Sequence, residues 1–427
     1  MSDLKTLKIE WVPIERLFPN PANPRHNDAA VPHVQASIRR FGWQQPIVVK
    51  QSGEIIAGHT RYLAAKELGQ DTVPVVWFDG TDLDALGYAI ADNRTHEFAT
   101  WDDAALSKIL TELQREDALE GVGYSDEDLD KLISELEDAA GPRDLDDPGP
   151  EPPPVKPVSR TGDLWVLGDH RLLCGDSTNA VDVARLLGND RPVLLSTDPP
   201  YCVRYTGANR PIHDGKSSGK DWSHVYREVD IDDLGTFLTS VLEAWLPRID
   251  ERAPLYVWHA HTQQPVIAAV FSKFKILFHQ VIVWCKPTPV FTHCYYQWQH
   301  EVCAFGWRQG MKPEHGVAQY STTWHMDWEG KSRVVGNEHP TQKPLQIFGR
   351  PIELHTHASD VIAEPFSGSG SQLLAAEMHR RKCRAMEVSP AFVDVAVKRW
   401  QVATGKQAIL DGEGRTFDIV TAERLGA

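Results

Sequence analysis

Between residues 161 and 410, short apolar segments alternate with helix-patterned ones, and this alternation leaves the chain few architectures. The apolar segments are Val193–Thr197, Leu255–His259, Leu277–Trp284, Val302–Trp307, Val361–Glu364 and Cys383–Glu387. Among the helix-patterned ones are Asp232–Arg248, Gln346–His355, Ser371–Met378 and Pro390–Trp400. Strands too apolar to face water on either side, with helices between them, predict a mostly parallel sheet covered on both faces. In such a fold ligands sit beyond the carboxyl ends of the strands, so the residues just after those strands are the ones to read for chemistry.

The 427 residues suggest two or three domains. Residues 1–100 mix short strands and helices, and 101–140 are helical and polar, with Leu106, Ile109, Leu110 and Leu113 at helical spacing. Residues 141–160 are rich in proline and acid and are read as an extended linker, 161–410 as the main α/β domain, and 411–427 as a C-terminal tail. Net charge is −15, with an acidic run from Asp126 to Glu151 read as a solvated spacer, so net charge alone does not exclude a nucleic-acid partner. No apolar run reaches the length that spans a bilayer and the start Met-Ser-Asp-Leu-Lys has no signal-like core, so a cytoplasmic protein without a membrane partner is expected. The six cysteines are scattered; Cys285, His293, Cys294, His300 and Cys303 lack the pairing of a zinc site, and no metal is expected.

Strand Val193–Thr197 runs into Asp198-Pro199-Pro200-Tyr201. The prolines stiffen the exit and remove two amide donors, so the site presents acceptors, the Asp198 carboxylate and the Pro199 carbonyl, to a group with hydrogens to give. Tyr201 adds a flat face for stacking. Strand Val361–Glu364 leads into Pro365-Phe366-Ser367-Gly368-Ser369-Gly370-Ser371 and a helix, a glycine turn that lets a ligand approach backbone amides at a helix start. About twenty residues on, a strand ends in Glu387, placed to accept bonds from ribose hydroxyls.

These motifs resemble the N4/N6 class of bacterial and phage DNA methyltransferases, in the circularly permuted β order. Asp198–Tyr201 match the family's catalytic D-P-P-Y, and Phe366, Gly368 and Gly370 its F-x-G-x-G cofactor loop. His339–Pro344 resembles H-P-x-x-K-P, whose lysine here is Lys343, Leu173–Asp176 the G-D segment, and Trp284-Cys285-Lys286 a W-x-K segment. Glu364 and Ser371 stand where the family more often has Asp and Thr. The resemblance implies a Rossmann-like domain that binds S-adenosylmethionine through Asp176, Lys343, Glu364, Phe366, Gly368, Gly370, Ser371 and Glu387. It further implies methylation of a flipped base in double-stranded DNA at Asp198, Pro199, Pro200 and Tyr201, by direct transfer without a covalent enzyme intermediate. D-P-P-Y leans toward adenine N6, with cytosine N4 as the alternative. Residues 202–222 and 309–337 are expected to carry sequence recognition, and restriction-modification or phage self-protection is the implied setting.

The front of the chain, Ile14 to Val76, resembles the ParB/sulfiredoxin superfamily, a small α+β domain, through Asn23-Pro24-Arg25, Ser37-Ile38, Gln45–Val49 and the turn Gly58-His59-Thr60-Arg61. The resemblance implies DNA association and a phosphate site at Gly58, His59, Thr60 and Arg61 for a nucleoside triphosphate. The turn departs from the usual G-E-R-R, and no cysteine precedes Cys174, which excludes sulfiredoxin chemistry. A competing reading makes the whole chain a nucleotide-switched DNA-binding protein with a degenerate methylase half.

Overall fold

The computed structural model describes the chain except residues 1–6, 22, 97, 201–211, 214–215, 218–230, 232, 291–294, 315, 317–318, 327–342 and 427. It divides into two compact units, Met1–Leu136 and Glu137–Ala427.

The first unit carries β1 (Ile9–Pro13), α1 (Val31–Phe41), β2 (Ile47–Val49), β3 (Ile55–Ala57), α2 (His59–Glu67), β4 (Thr72–Trp77), α3 (Asp82–His96), α4 (Asp103–Arg115) and α5 (Asp126–Ala139). Its sheet runs β1-β4-β2-β3, with β2 parallel to β4 and the outer pairs antiparallel. Ile47, Val49, Ile55, Val73 and Val75 are fully buried against Tyr62 and Ala65 of α2. Leu106, Leu110 and Leu129 form a second cluster between α4 and α5. Helices α4 and α5 share this unit with the sheet instead of standing apart as a separate segment. The Arg40 guanidinium of α1 donates to the carbonyls of Ala118 and Glu120 in the turn between them.

The second unit begins with β5 (Leu164–Leu167), β6 (His170–Cys174), α6 (Ala180–Leu187), β7 (Leu194–Thr197), the ribbon β8 (Ile212–His213) and β9 (Lys216–Ser217), α7 (Leu234–Trp245), β10 (Leu255–His259) and α8 (Gln264–Lys273). It continues with β11 (Ile276–Val290), β12 (Trp298–Arg308), β13 (Thr323–His325), α9 (Leu345–His355), β14 (Val361–Glu364), α10 (Ser371–Met378), β15 (Lys382–Glu387), α11 (Pro390–Thr404), β16 (Ile409–Leu410) and α12 (Phe417–Leu425). The main sheet has ten strands in the order β13-β11-β12-β10-β7-β14-β15-β6-β5-β16. Its centre, β10-β7-β14-β15-β6, is parallel, as the alternating pattern requires. Successive residues of each strand face opposite layers: Leu194, Ile362 and Ala385 pack under α9, α10 and α11, while Leu195, Ala363 and Met386 pack under α6, α7 and α8. Each fully buried Leu or Ile contributes about 1.5–3 kcal/mol, so this two-sided burial dominates the fold.

Two outer segments differ from the sequence reading. Residues 141–160 hold no helix or strand, as an extended linker would, yet they lie fastened on the second unit. The Val158 and Ser159 amides donate to Asp394 at 2.6 and 2.9 Å, and Asp147 pairs with the buried Arg399 at 2.6 Å. The tail is also part of the core: β16 pairs with β5, and Phe417 is buried edge-on against Trp165 at 5.1 Å. Among the described residues no helix is long and apolar enough to cross a membrane.

Phe417→Ala should therefore destabilise the second unit by about 3–5 kcal/mol. Ile419→Ala, on the exposed side of the same helix, should stay within about 0.5 kcal/mol. Calorimetric melting of both variants checks the pair.

Candidate active site

Strands β7 and β14 are hydrogen-bonded neighbours, Ile362 facing Leu194 and Ala363 facing Leu195. From β7 the chain moves toward β10 on one side, and from β14 toward β15 on the other. The sheet order thus reverses between them, and such a point opens a crevice at the carboxyl edge because the two connections leave on opposite sides. Asp198-Pro199-Pro200 follows β7, and Pro365 to Gly370 follows β14. The acceptor motif and the glycine turn, remote in sequence, border one edge. Tyr201 and His339 to Gln342 lie outside the described residues.

The turn is built by backbone pairing to its neighbours. The Ser367 amide donates to the Met386 carbonyl at 2.8 Å, and the Glu387 carboxylate accepts from the Gly368 amide at 2.8 Å and the Ser389 amide at 2.9 Å. Burial pushes the Glu387 carboxyl upward, and these amide bonds only partly offset it. Asp176 follows β6, where its carboxylate accepts from the Thr178 amide and hydroxyl, both at 2.8 Å. The next residue, Ser177, donates to the Pro365 carbonyl at 2.5 Å, tying this turn to the β14 exit. Phe366 packs on Phe237 at 5.5 Å.

The two glycines have different duties. A Cβ on Gly368 would meet nothing within 4 Å, so the turn opens to free space there. A Cβ on Gly370 would fall 2.9 Å from Ala396 Cβ, so this glycine lets α11 approach. Ser371 also faces inward, its hydroxyl accepting from Arg399 at 3.0 Å. Glu364 is buried below the turn, 3.8 Å from Cys383 Sγ, and burial raises its pKa well above the ordinary range.

Lys343, expected at the cofactor, is found against the Asp198 carboxylate. It is buried and its ammonium pairs with Asp198 and, at 3.2 Å, with Glu301. Glu301, on β12, also pairs with Lys286 at 2.6 Å. Burial would raise the Glu301 pKa, but Lys343 and Lys286 together pull it down to about 2. Burial likewise opposes the Lys343 charge, yet Asp198 and Glu301 outweigh it and raise its pKa. Glu301 escaped the sequence reading; the available signal was an acid inside the otherwise apolar strand around Val302–Trp307. Thr197 Oγ1, just before Asp198, is buried with no hydrogen-bond partner among the described residues, as expected of a hydroxyl beside a ligand site.

In the first unit, Gly58 caps α2 from the left-handed region, and α2 begins at His59. The Arg61 guanidinium donates to the Pro46 carbonyl at 2.7 Å, and burial lowers its pKa. Thr60 Oγ1 donates to Asn27 Oδ1 at 3.1 Å, and the Asn20 amide to His59 Nε2 at 3.3 Å. The Arg25 guanidinium donates to Asn93 Oδ1 of α3.

Residues 194–398 match the DNA methylase family of N6/N4 type, and residues 2–94 match the ParB N-terminal domain. The chain belongs to the N6/N4 DNA methylases and carries a ParB domain in front. The methylase is 43% identical over 75 residues to the ParB-like nuclease domain-containing protein YnaK of Escherichia coli (strain K12), covering 17% of this chain and 86% of that protein. It is 23% identical over 245 residues to the type II methyltransferase M2.MboI of Moraxella bovis, covering 53% of this chain and 86% of that one. A solved M1.HpyAVI–SAM complex aligns over 53% of this chain and 97% of its own, at 19% identity and a TM-score of 0.40. The methyl donor of this class is S-adenosylmethionine. The open Gly368 turn, the Glu387 carboxylate under it and the unpartnered Thr197 hydroxyl fit such a group.

Gly368→Ala should keep the methylase folded, at about 1–2 kcal/mol for its left-handed φ of +52°, while weakening S-adenosylmethionine binding at least tenfold by calorimetry. Gly370→Ala should cost more stability, since Ala396 stands in the way. A separate expectation concerns acid. Because the Glu301 pKa is depressed from 4.5 to about 2, its stabilisation is present above pH 4.5 and is lost as pH falls from there toward 2. Glu301→Gln should remove on the order of 2 kcal/mol at pH 6, and the gap to wild type should narrow by pH 3 in urea melts.

Proposed function

We propose that the methylase transfers a methyl group to the N6 amine of adenine in double-stranded DNA, with Asp198, Pro199, Pro200 and Tyr201 as its catalytic segment. The observation that carries this reading is that Asp198 and the Gly368 turn lie at the ends of adjacent parallel strands, at the reversal of the sheet order. A target base must leave the duplex to reach such a crevice. Asp198 and the Pro199 carbonyl then accept the two hydrogens of the amine, which concentrates electron density on nitrogen and orients its lone pair. Tyr201 stacks on the base. Bound S-adenosylmethionine supplies an electrophilic methyl group. Asp176, Phe366, Gly368 and Glu387 hold that cofactor, and Glu364, Gly370 and Ser371 support the turn from below.

Lys343, which the motif resemblance assigns to the cofactor, is better read as the clamp on Asp198. It holds the carboxylate in place through a buried ion pair, and Glu301 fixes Lys343 in turn. Adenine is favoured by the D-P-P-Y form of the motif. In the ParB domain, the α2 amino terminus at Gly58 to Arg61 is read as a phosphate site for a nucleoside triphosphate, and the domain as a DNA-associated, cytoplasmic accessory to catalysis.

DNA treated with the full chain and digested to nucleosides should contain N6-methyladenine by mass spectrometry. Asp198→Ala should reduce it at least a hundredfold with S-adenosylmethionine binding retained. N4-methylcytosine in its place would overturn the base assignment.

A further inference from the structure

We propose that the outer part of the β11–β12 hairpin is a duplex-contacting finger whose exposed rings stack on bases beside the flipped-out position. This rests on the reading of the chain as a DNA methylase and names the element that would hold its substrate.

The strand register gives the placement. Strand β10 runs parallel to β7 and ends at His259, which pairs with Val302. Residues Trp298 to Glu301 of β12, and their partners from Trp284 to Val290 on β11, continue beyond that point. They overhang the same edge on which Asp198 follows β7. The root of the overhang is bound to the catalytic carboxylate, since Glu301 pairs with Lys343 and Lys343 with Asp198.

The composition of the overhang matches that placement. From Lys286 to His300 the sequence KPTPVFTHCYYQWQH contains no acid, in a chain of net charge −15. A surface without carboxylates does not repel a polyanion, and this stretch has none. It also carries Tyr295, Tyr296 and Trp298 with His300, while Phe291 and His293 lie outside the described residues. Tyr295 and Tyr296 are 103% and 89% exposed. Trp298 is 39% exposed and lies against His261 at 4.3 Å and His300 at 5.8 Å. Rings buried for stability would not be held in solvent, and a core-forming hairpin would present aliphatics. Flat rings stack on bases of any sequence, at a gain that alanine substitution reveals as about five- to a hundredfold in affinity per base. Lys286 is already paired with Glu301, so the contact proposed is stacking and not charge neutralisation.

That distinction supplies the test. The full chain and a Tyr295→Ala/Tyr296→Ala variant are titrated against a fluorescent duplex by anisotropy at several salt concentrations, beside a Tyr295→Phe/Tyr296→Phe variant. The alanine pair should bind about tenfold or more weakly and the phenylalanine pair within about threefold of wild type. The slope of log affinity against log salt should be the same for all three, because no phosphate contact is lost. Calorimetric S-adenosylmethionine binding and melting temperature should not move. An alanine pair that binds the duplex like wild type overturns the inference, as does one that also loses cofactor binding or stability, which would mark a structural role. Failure of the underlying reading is separate: wild type would then leave no methylated nucleoside in any DNA, whatever the hairpin variants bind.

Discussion

The parallel pairing of β7 with β14 is the constraint on which the site depends. Both strands are buried on two faces, and the one acid within them, Glu364, is pushed toward its neutral form by that burial. Asp198 and the Pro365–Gly370 turn are the first places where chemistry is affordable, and the sheet brings them side by side. The connection from β7 reaches α7 in one helical layer, and that from β14 reaches α10 in the other. A ligand between them therefore meets two chain exits. Catalysis by positioning needs such a frame, since a reacting pair held in place gains more than any single acid or base supplies.

The ion pairs at this edge are a second layer of the same design. Lys343 is buried and Glu301 half-buried, and burying an ion pair costs desolvation that the attraction often fails to repay. Stability is thus a poor reason for the chain Asp198–Lys343–Glu301–Lys286. Orientation is a better one: each charge has an opposite neighbour within reach, so the Asp198 carboxylate is held without a flexible surface partner.

Much of this was legible in the sequence where local pattern and function coincide. Leu255–His259, Val361–Glu364 and Ser371–Met378 appear with the ends read from periodicity, because each is short, apolar and bounded by turn residues. The β5–β6 hairpin was overlooked, since its strands are brief and only the start of the Leu173–Asp176 segment lies on them. Gly368 and Gly370 look alike in a motif, and only the position of Ala396 separates the open glycine from the packed one. Glu301 and Lys343 meet through an ion pair between β12 and the segment just before α9 and not through spacing, which no single segment displays. In the ParB domain the turn was placed correctly, but α2 begins at His59, which uses part of the turn as helix.

The proline- and acid-rich stretch shows why composition misleads in a particular way. Its residues cannot form helix or strand, and they do not. Composition says nothing, however, about what waits for the acids. Arg399, on α11, is buried and needs a carboxylate; Asp147, 252 positions earlier, supplies one through two bonds at 2.8 and 2.6 Å. The remaining guanidinium hydrogens go to the Ser369 carbonyl and the Ser371 hydroxyl, at the back of the glycine turn. A planar cation with five donors in fixed directions can satisfy both sides at once, where a lysine could not. The stretch is thereby part of the wall behind the cofactor turn. Tethering of the ParB domain to the methylase must be reckoned from residues before this docked segment, not from its proline count.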